Sequence, residues 1–159
     1  MTPATASTGS SPFGVTVDPS SRFAYVPNAY DPNNTVTEYT LDSVAGLLTP
    51  NGEVTAGNQP TSVAVNPSSN AAYVVNRADT TVSEYGIDSS GNLVLKNKIA
   101  TGQEPFRIAV DPSGGFAHVA NETGSVSIYA INSNGSLTSA GTAITTGSAS
   151  SVAVTGTKK

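Results

Sequence analysis

A chain of 159 residues has the size of one compact domain, and its formal charge of −4, from 7 basic and 11 acidic side chains, leaves no basic footprint for a nucleic-acid partner. The lack of cysteine excludes disulfides and thiolate metal sites, and a single histidine excludes a multi-histidine metal centre built by one chain. No apolar run reaches the roughly 18 residues of a membrane span, residues 1–11 carry no signal-peptide pattern, and abundant Ser, Thr, Asn and Gly point to an extracellular, periplasmic or cell-surface β protein.

The chain repeats itself. Residues 15–28 return at 63–76 and at 108–121, spaced by 48 and then 45 residues, within the period of roughly 40–50 residues that builds propeller blades. In chain order, residues 1–12 read as the fourth strand of a preceding unit, because Met1-Thr2-Pro3 aligns with Leu48-Thr49-Pro50 and Gly9-Ser10-Ser11-Pro12 with Gly57-Asn58-Gln59-Pro60. Residues 13–60 then form blade 1, 61–105 blade 2 and 106–150 blade 3. Each opens on a short β-branched strand at 15–17, 63–65 or 108–110. Asp18-Pro19, Asn66-Pro67 and Asp111-Pro112 set a tight turn, since proline fixes φ and the Asx side chain caps the backbone. A second strand passes through Tyr25, Tyr73 or His118, and a third alternates as Val36-Thr37-Glu38-Tyr39, Val82-Ser83-Glu84-Tyr85 or Val126-Ser127-Ile128-Tyr129. Gly46, Gly91 and Gly135 turn the chain into a fourth strand. Residues 151–159 restart the pattern as the first strand of a following blade.

The expected fold is therefore all-β: three full four-stranded antiparallel blades with a single strand at each end. A closed propeller takes at least about four blades, and uncapped repeats expose apolar faces. This implies completion by head-to-tail self-association into a ring or filament, or by the rest of a longer propeller.

The tetrapeptides Tyr25-Val26-Pro27-Asn28, Tyr73-Val74-Val75-Asn76 and His118-Val119-Ala120-Asn121 resemble the YVTN-type β-propeller repeat, shared with the seven-bladed lactonase-like family that includes 6-phosphogluconolactonase-type enzymes. That resemblance covers nearly the whole chain and implies a hydrolase site around a Pro-Arg-His segment and an Asn-Glu pair. Here Pro105-Phe106-Arg107 and Asn121-Glu122 stand in those places. Glu122 matches, whereas Arg107 replaces the histidine, which removes the obvious acid/base group.

His118 takes the position of Tyr25 and Tyr73 and is expected to replace a packed aromatic. Glu38 and Glu84 are expected at a repeated structural or solvent-facing position. The loops at 88–92 and 132–136 hold too few carboxylates for calcium, so neither metal nor cofactor is expected. Sequons at Asn33, Asn121 and Asn134 fall in predicted loops and are candidate glycosylation sites.

The face built by loops entering the first strand and loops joining the second to the third is the expected ligand surface. It carries Asn28, Asn76, Arg77, Glu104, Arg107, Asn121 and Glu122, with Arg107 and Glu122 as a clamp for a polar small molecule or carbohydrate. The expected function is a non-enzymatic binding or assembly module, with its own copies as partners. A lactonase-like hydrolase or its inactive relic, and a structural filament subunit, are the alternatives.

Overall fold

The computed structural model describes residues 5–30 and 34–155. These form twelve strands: β1 (Thr16–Val17), β2 (Phe23–Asn28), β3 (Thr35–Leu41), β4 (Leu48–Thr55), β5 (Pro60–Val65), β6 (Ala71–Asn76), β7 (Thr81–Ile87), β8 (Leu93–Ala100), β9 (Pro105–Val110), β10 (Phe116–Asn121), β11 (Ser125–Ile131) and β12 (Leu137–Ile144). They pair as three four-stranded antiparallel sheets, β1-β2-β3-β4, β5-β6-β7-β8 and β9-β10-β11-β12, which are blades 1, 2 and 3. Among the described residues no helix is long and apolar enough to cross a membrane.

Local chemistry explains the hairpins. Asp18 Oδ1 accepts the Arg22 and Phe23 amides at 2.8 and 2.7 Å, and Asp111 Oδ1 accepts those of Gly115 and Phe116 at 2.7 and 2.8 Å. Each carboxylate closes the turn between the first two strands. Partial burial pushes these carboxyls up, but the converging hydrogen bonds from the turn outweigh it, and both end below their ordinary range. A register shift falls at Glu38/Tyr39, Glu84/Tyr85 and Ile128/Tyr129 where the third strand meets the fourth, so the same bulge recurs in every blade.

The first strands differ from the sequence-based expectation. In blades 2 and 3 they begin three residues earlier, at Pro60 and Pro105, so those blades start one residue before positions 61 and 106. In blade 1 the same pairing shrinks to a lone bridge, Pro12 to Asn28, followed by β1. The flanking segments differ too. Residues 5–12 contain that bridge but no strand, and residues 151–155 form none; the rest of both expected strands lies outside the described residues. A strand needs a paired edge, and at these two places no paired edge is described.

Two apolar cores lie between the sheets. Phe23, Tyr25 and Val36 of blade 1 pack on Val63, Ala72, Val74 and Tyr85 of blade 2. Tyr73, Val75 and Val82 of blade 2 pack on Ile108, Ala117, Val119 and Tyr129 of blade 3. Each blade thus has a forward face, toward the next blade, and a backward face.

Polar clasps lock both junctions. Tyr25 Oη donates to the Gly91 carbonyl at 2.9 Å and Tyr73 Oη to that of Gly135 at 2.8 Å. Glu38 Oε1 accepts the Leu93 amide at 2.7 Å, and Glu84 accepts the Leu137 amide likewise. Both glutamates are buried, at 3% and 2% exposure, which settles their position as structural rather than solvent-facing. From the other side, Tyr85 and Tyr129 donate to the carbonyls of Thr55 and Ala100 at the end of the preceding fourth strand, at 3.1 and 2.7 Å. Tyr39 makes the same bond to Ser7 at 2.6 Å, so residues 5–9 stand in for a preceding fourth strand.

Candidate functional site

Loops entering each first strand and loops leaving each second strand converge at one end of the blades. The Ala29 amide donates to the Ser11 carbonyl, Arg77 to Gln59 and Glu122 to Glu104, at 3.1, 2.9 and 2.9 Å. In each pair the carbonyl belongs to a non-glycine residue at positive φ: Ser11 at 52°, Gln59 at 53° and Glu104 at 50°. All three precede a proline, so a sparsely populated backbone state recurs at the rim of this face.

Directly below the rim lie the asparagines that end the second strands. Asn28 Nδ2 donates to the Thr35 and Thr37 hydroxyls, Asn76 Nδ2 to Thr81 and Ser83, and Asn121 Nδ2 to Ser125 and Ser127, at 2.8 to 3.2 Å. Their Oδ1 atoms accept from Thr8, the Gly57 amide and Thr101. A Cβ on Gly57 would lie 2.6 Å from Asn76 Cγ, so the entering loop needs glycine here. All three asparagines are 0% exposed. They latch two strands to the entering loop, and their polar atoms are occupied within the chain instead of facing a ligand. The sequon at Asn121 is buried for the same reason. Asn134 is exposed, and Asn33 lies outside the described residues.

Three of the expected site residues meet. Arg77 Nη2 donates to Glu122 Oε2 at 2.8 Å and to Glu104 Oε2 at 3.1 Å, bridging blade 2 to blade 3. The bond to Glu122, with the charges of both carboxylates, pushes the guanidinium further up from its ordinary value. Arg77 Nε is shielded without a hydrogen-bond partner. Arg107 is elsewhere. Its guanidinium carbon lies 5.4 Å over the Phe106 ring, and it lines a small cleft with Gly14, Pro27 and Thr61. The ion pair of Glu122 is therefore with Arg77 rather than with Arg107.

An aromatic cluster escaped the sequence reading. The Phe13 ring sits 5.9 Å edge-on to Phe106 and 6.3 Å from Tyr30, which is 59% exposed. Its signal was available: Phe13 and Tyr30 stand where blade 2 has Thr61 and Ala78. The face thus presents exposed aromatic surface beside an arginine held between two carboxylates, a combination suited to polar ligands with one apolar side. No group of potential metal ligands occurs among the described residues.

Residues 28–153 match the family described as Lactonase, 7-bladed beta-propeller. The chain belongs to that family. No curated protein matches. Solved structures similar to the chain include a Lactobacillus plantarum protein at 23% identity and a TM-score of 0.80, covering 92% of this chain and 45% of that one. The periplasmic gluconolactonase PpgL of Pseudomonas aeruginosa is 24% identical with a TM-score of 0.75, over 92% of this chain and 44% of that one. Sqt1 of Chaetomium thermophilum, bound to the N-terminus of ribosomal protein L10, is 15% identical with a TM-score of 0.65, over 82% of this chain and 33% of that one. At such identities the likeness shows the fold. The chain spans less than half the length of these relatives, so it is a partial propeller of the lactonase family.

Proposed function

We propose that this partial propeller is a non-enzymatic binding module of extracytoplasmic origin whose blade 3 is completed by further blades, from a second copy or from the rest of a longer propeller. One observation carries the reading. The forward faces of blades 1 and 2 are closed by a full set of clasps, whereas that of blade 3 leaves Phe116 47% exposed and His118 Nδ1 shielded without a partner. Burying a phenylalanine in place of exposing it is worth about 2 kcal/mol, so a covering blade has something to gain. Residues 5–9 mark the register that such a partner would take, because their contact with Tyr39 is the one a preceding fourth strand makes. In a head-to-tail ring the β12 edge of one copy would take over that role on the next.

The binding surface is the loop face with Arg77, Glu104, Glu122 and the Phe13, Tyr30 and Phe106 cluster, and its ligand is a polar small molecule or carbohydrate. Sqt1 bound to the N-terminus of ribosomal protein L10 illustrates that a blade array of this fold can hold a protein partner.

A lactonase-like hydrolase is the second reading, favoured by the family match. Its weakness is local: Glu122 is paired with Arg77, and Arg107 lines a cleft of its own instead of meeting Glu122. Electron microscopy of the purified chain, paired with a lactone-hydrolysis assay, tests both. The binding-module reading expects closed rings and no turnover. Hydrolysis that disappears in Arg107→Ala or Glu122→Ala would overturn it, and rod-like particles would make the chain a filament subunit.

A further inference from the structure

The two junctions of this chain act as a control for each other, and they are not filled alike. Under the turn that enters the fourth strand of blade 2, the Phe23 ring presses directly beneath Gly91. Around it, Arg22 Nη2 reaches the Ser89 carbonyl at 3.4 Å, and Asn51 Nδ2 bonds the Ser90 carbonyl and Asn92 Oδ1 at 2.8 and 3.2 Å. The first junction is plugged beneath Gly91 and stitched there, and the space of about 330 Å³ that it keeps lies to the side, among the turns at Asp18–Arg22 and Asn66–Asn70.

At the second junction the repeat places smaller or looser residues at the same points. Ala71 replaces Phe23, Gly86 replaces Thr40, Asn70 replaces Arg22 and Lys96 replaces Asn51. The result is a cleft of about 300 Å³ between blades 2 and 3. Its floor is the buried Glu84, which accepts the Leu137 amide and, on Oε1, a long 3.4 Å bond from Asn97 Nδ2. Its walls carry Asn70, Asn97, Asn134 and Ser136, with Tyr85 and Lys96 beside them. A Cβ at Gly86 would come within 2.9 Å of Lys96 Cε, so the glycine gives the lysine stem its seat.

We propose that this inter-blade cleft is a binding site for one hydroxylated ring of monosaccharide size, preferably one bearing a carboxylate. The volume lies at the lower end of small-molecule pockets, about 300 to 1,000 Å³, which suits a single ring. Primary amides, a carboxyl and a hydroxyl each pair with sugar hydroxyls as donor or acceptor, and the Lys96 ammonium adds a partner for an anionic substituent. The site is remote from the loop face of Arg77 and stands or falls independently of it.

The test is a titration of the isotope-labelled full chain with D-glucuronate, D-glucose and acetate, followed through the side-chain amide signals of Asn97 and Asn134 by NMR. Saturable shifts with glucuronate, weaker ones with glucose and none with acetate are expected. Ala71→Phe restores the plug of the first junction and should abolish the shifts while keeping the unfolding midpoint, because the same architecture already accommodates Phe23. Lys96→Met should remove the preference for glucuronate over glucose, a change of about tenfold for one hydrogen bond to a charged group, and Arg77→Ala should change nothing. Absent shifts in the native chain, or undiminished binding in Ala71→Phe, would overturn the proposal. Loss of the preference in Lys96→Met serves as the deciding readout if Ala71→Phe does not fold.

Discussion

Blade 2 and blade 3 share a strand pattern and a bulge, yet their forward faces have diverged at the positions that touch a following blade. Where blade 2 has Tyr73 and Glu84, blade 3 has His118 and Ile128. Tyr73 and Glu84 bond a carbonyl and an amide of the next sheet, so their side chains are dictated by a neighbour within the chain. Among the described residues no sheet follows blade 3, and no bond of this kind is made by His118 or Ile128. The latch asparagine, by contrast, is kept in all three blades because its partners lie mainly within its own blade and entering loop. The repeat therefore records two constraints, one internal to each blade and one belonging to the junction.

Mutations can break this comparison in order of size. Tyr73→Ala opens a void in the second junction and abandons the Gly135 carbonyl, with an expected loss of about 4 kcal/mol in urea unfolding. His118→Ala, at the matching position of blade 3, should cost less than about 0.5 kcal/mol in the monomeric chain. Equal losses at the two positions would contradict the distinction. Asn76→Ala leaves the Gly57 amide and two hydroxyls without their partner, for an expected loss of about 3 kcal/mol. A similar loss should follow from Asn121→Ala, since this constraint is internal to each blade.

Smaller effects sharpen the account through pH. Burial holds the Glu84 carboxyl above its ordinary range despite the Leu137 amide and Asn97. A folded-state pKa above the unfolded one favours folding at low pH, and that advantage fades as pH rises from the unfolded value through the folded one. Glu84→Gln should therefore gain stability relative to the native chain at pH 7 compared with pH 4. Asp18 and Asp111 run the opposite way: their lowered values stabilise the fold above the ordinary carboxylate range, and the contribution is lost as pH falls through the folded value. Replacing Asp111 by Asn should flatten the acid limb of the stability profile. The smallest effect is at Gln59, where glycine should relieve the positive φ and raise stability by about 0.5 kcal/mol, read as a small rise in melting temperature.

The blades were legible in the sequence because strand period, Asx-Pro turns and a recurring tetrapeptide are local signals. Two kinds of feature were not. The latch asparagines read as polar loop residues, and only tertiary contacts with Gly57 or Thr101 reveal that they are buried. The pairing of Glu122 was hidden as well, since Arg77 lies on a different blade and sequence spacing says nothing about which cation crosses a junction. Conversely, the aromatic cluster was within reach, because Phe13 and Tyr30 break a repeat that is otherwise easy to align.

Among the described residues the forward face of blade 3 has no sheet packed on it. Light scattering of the purified chain over rising concentration addresses this most directly. The account predicts a particle whose mass is a multiple of the 16.0 kDa protomer, reduced to single protomers by Phe116→Glu. A native chain that stays folded at 16.0 kDa at every concentration would contradict completion by a second copy.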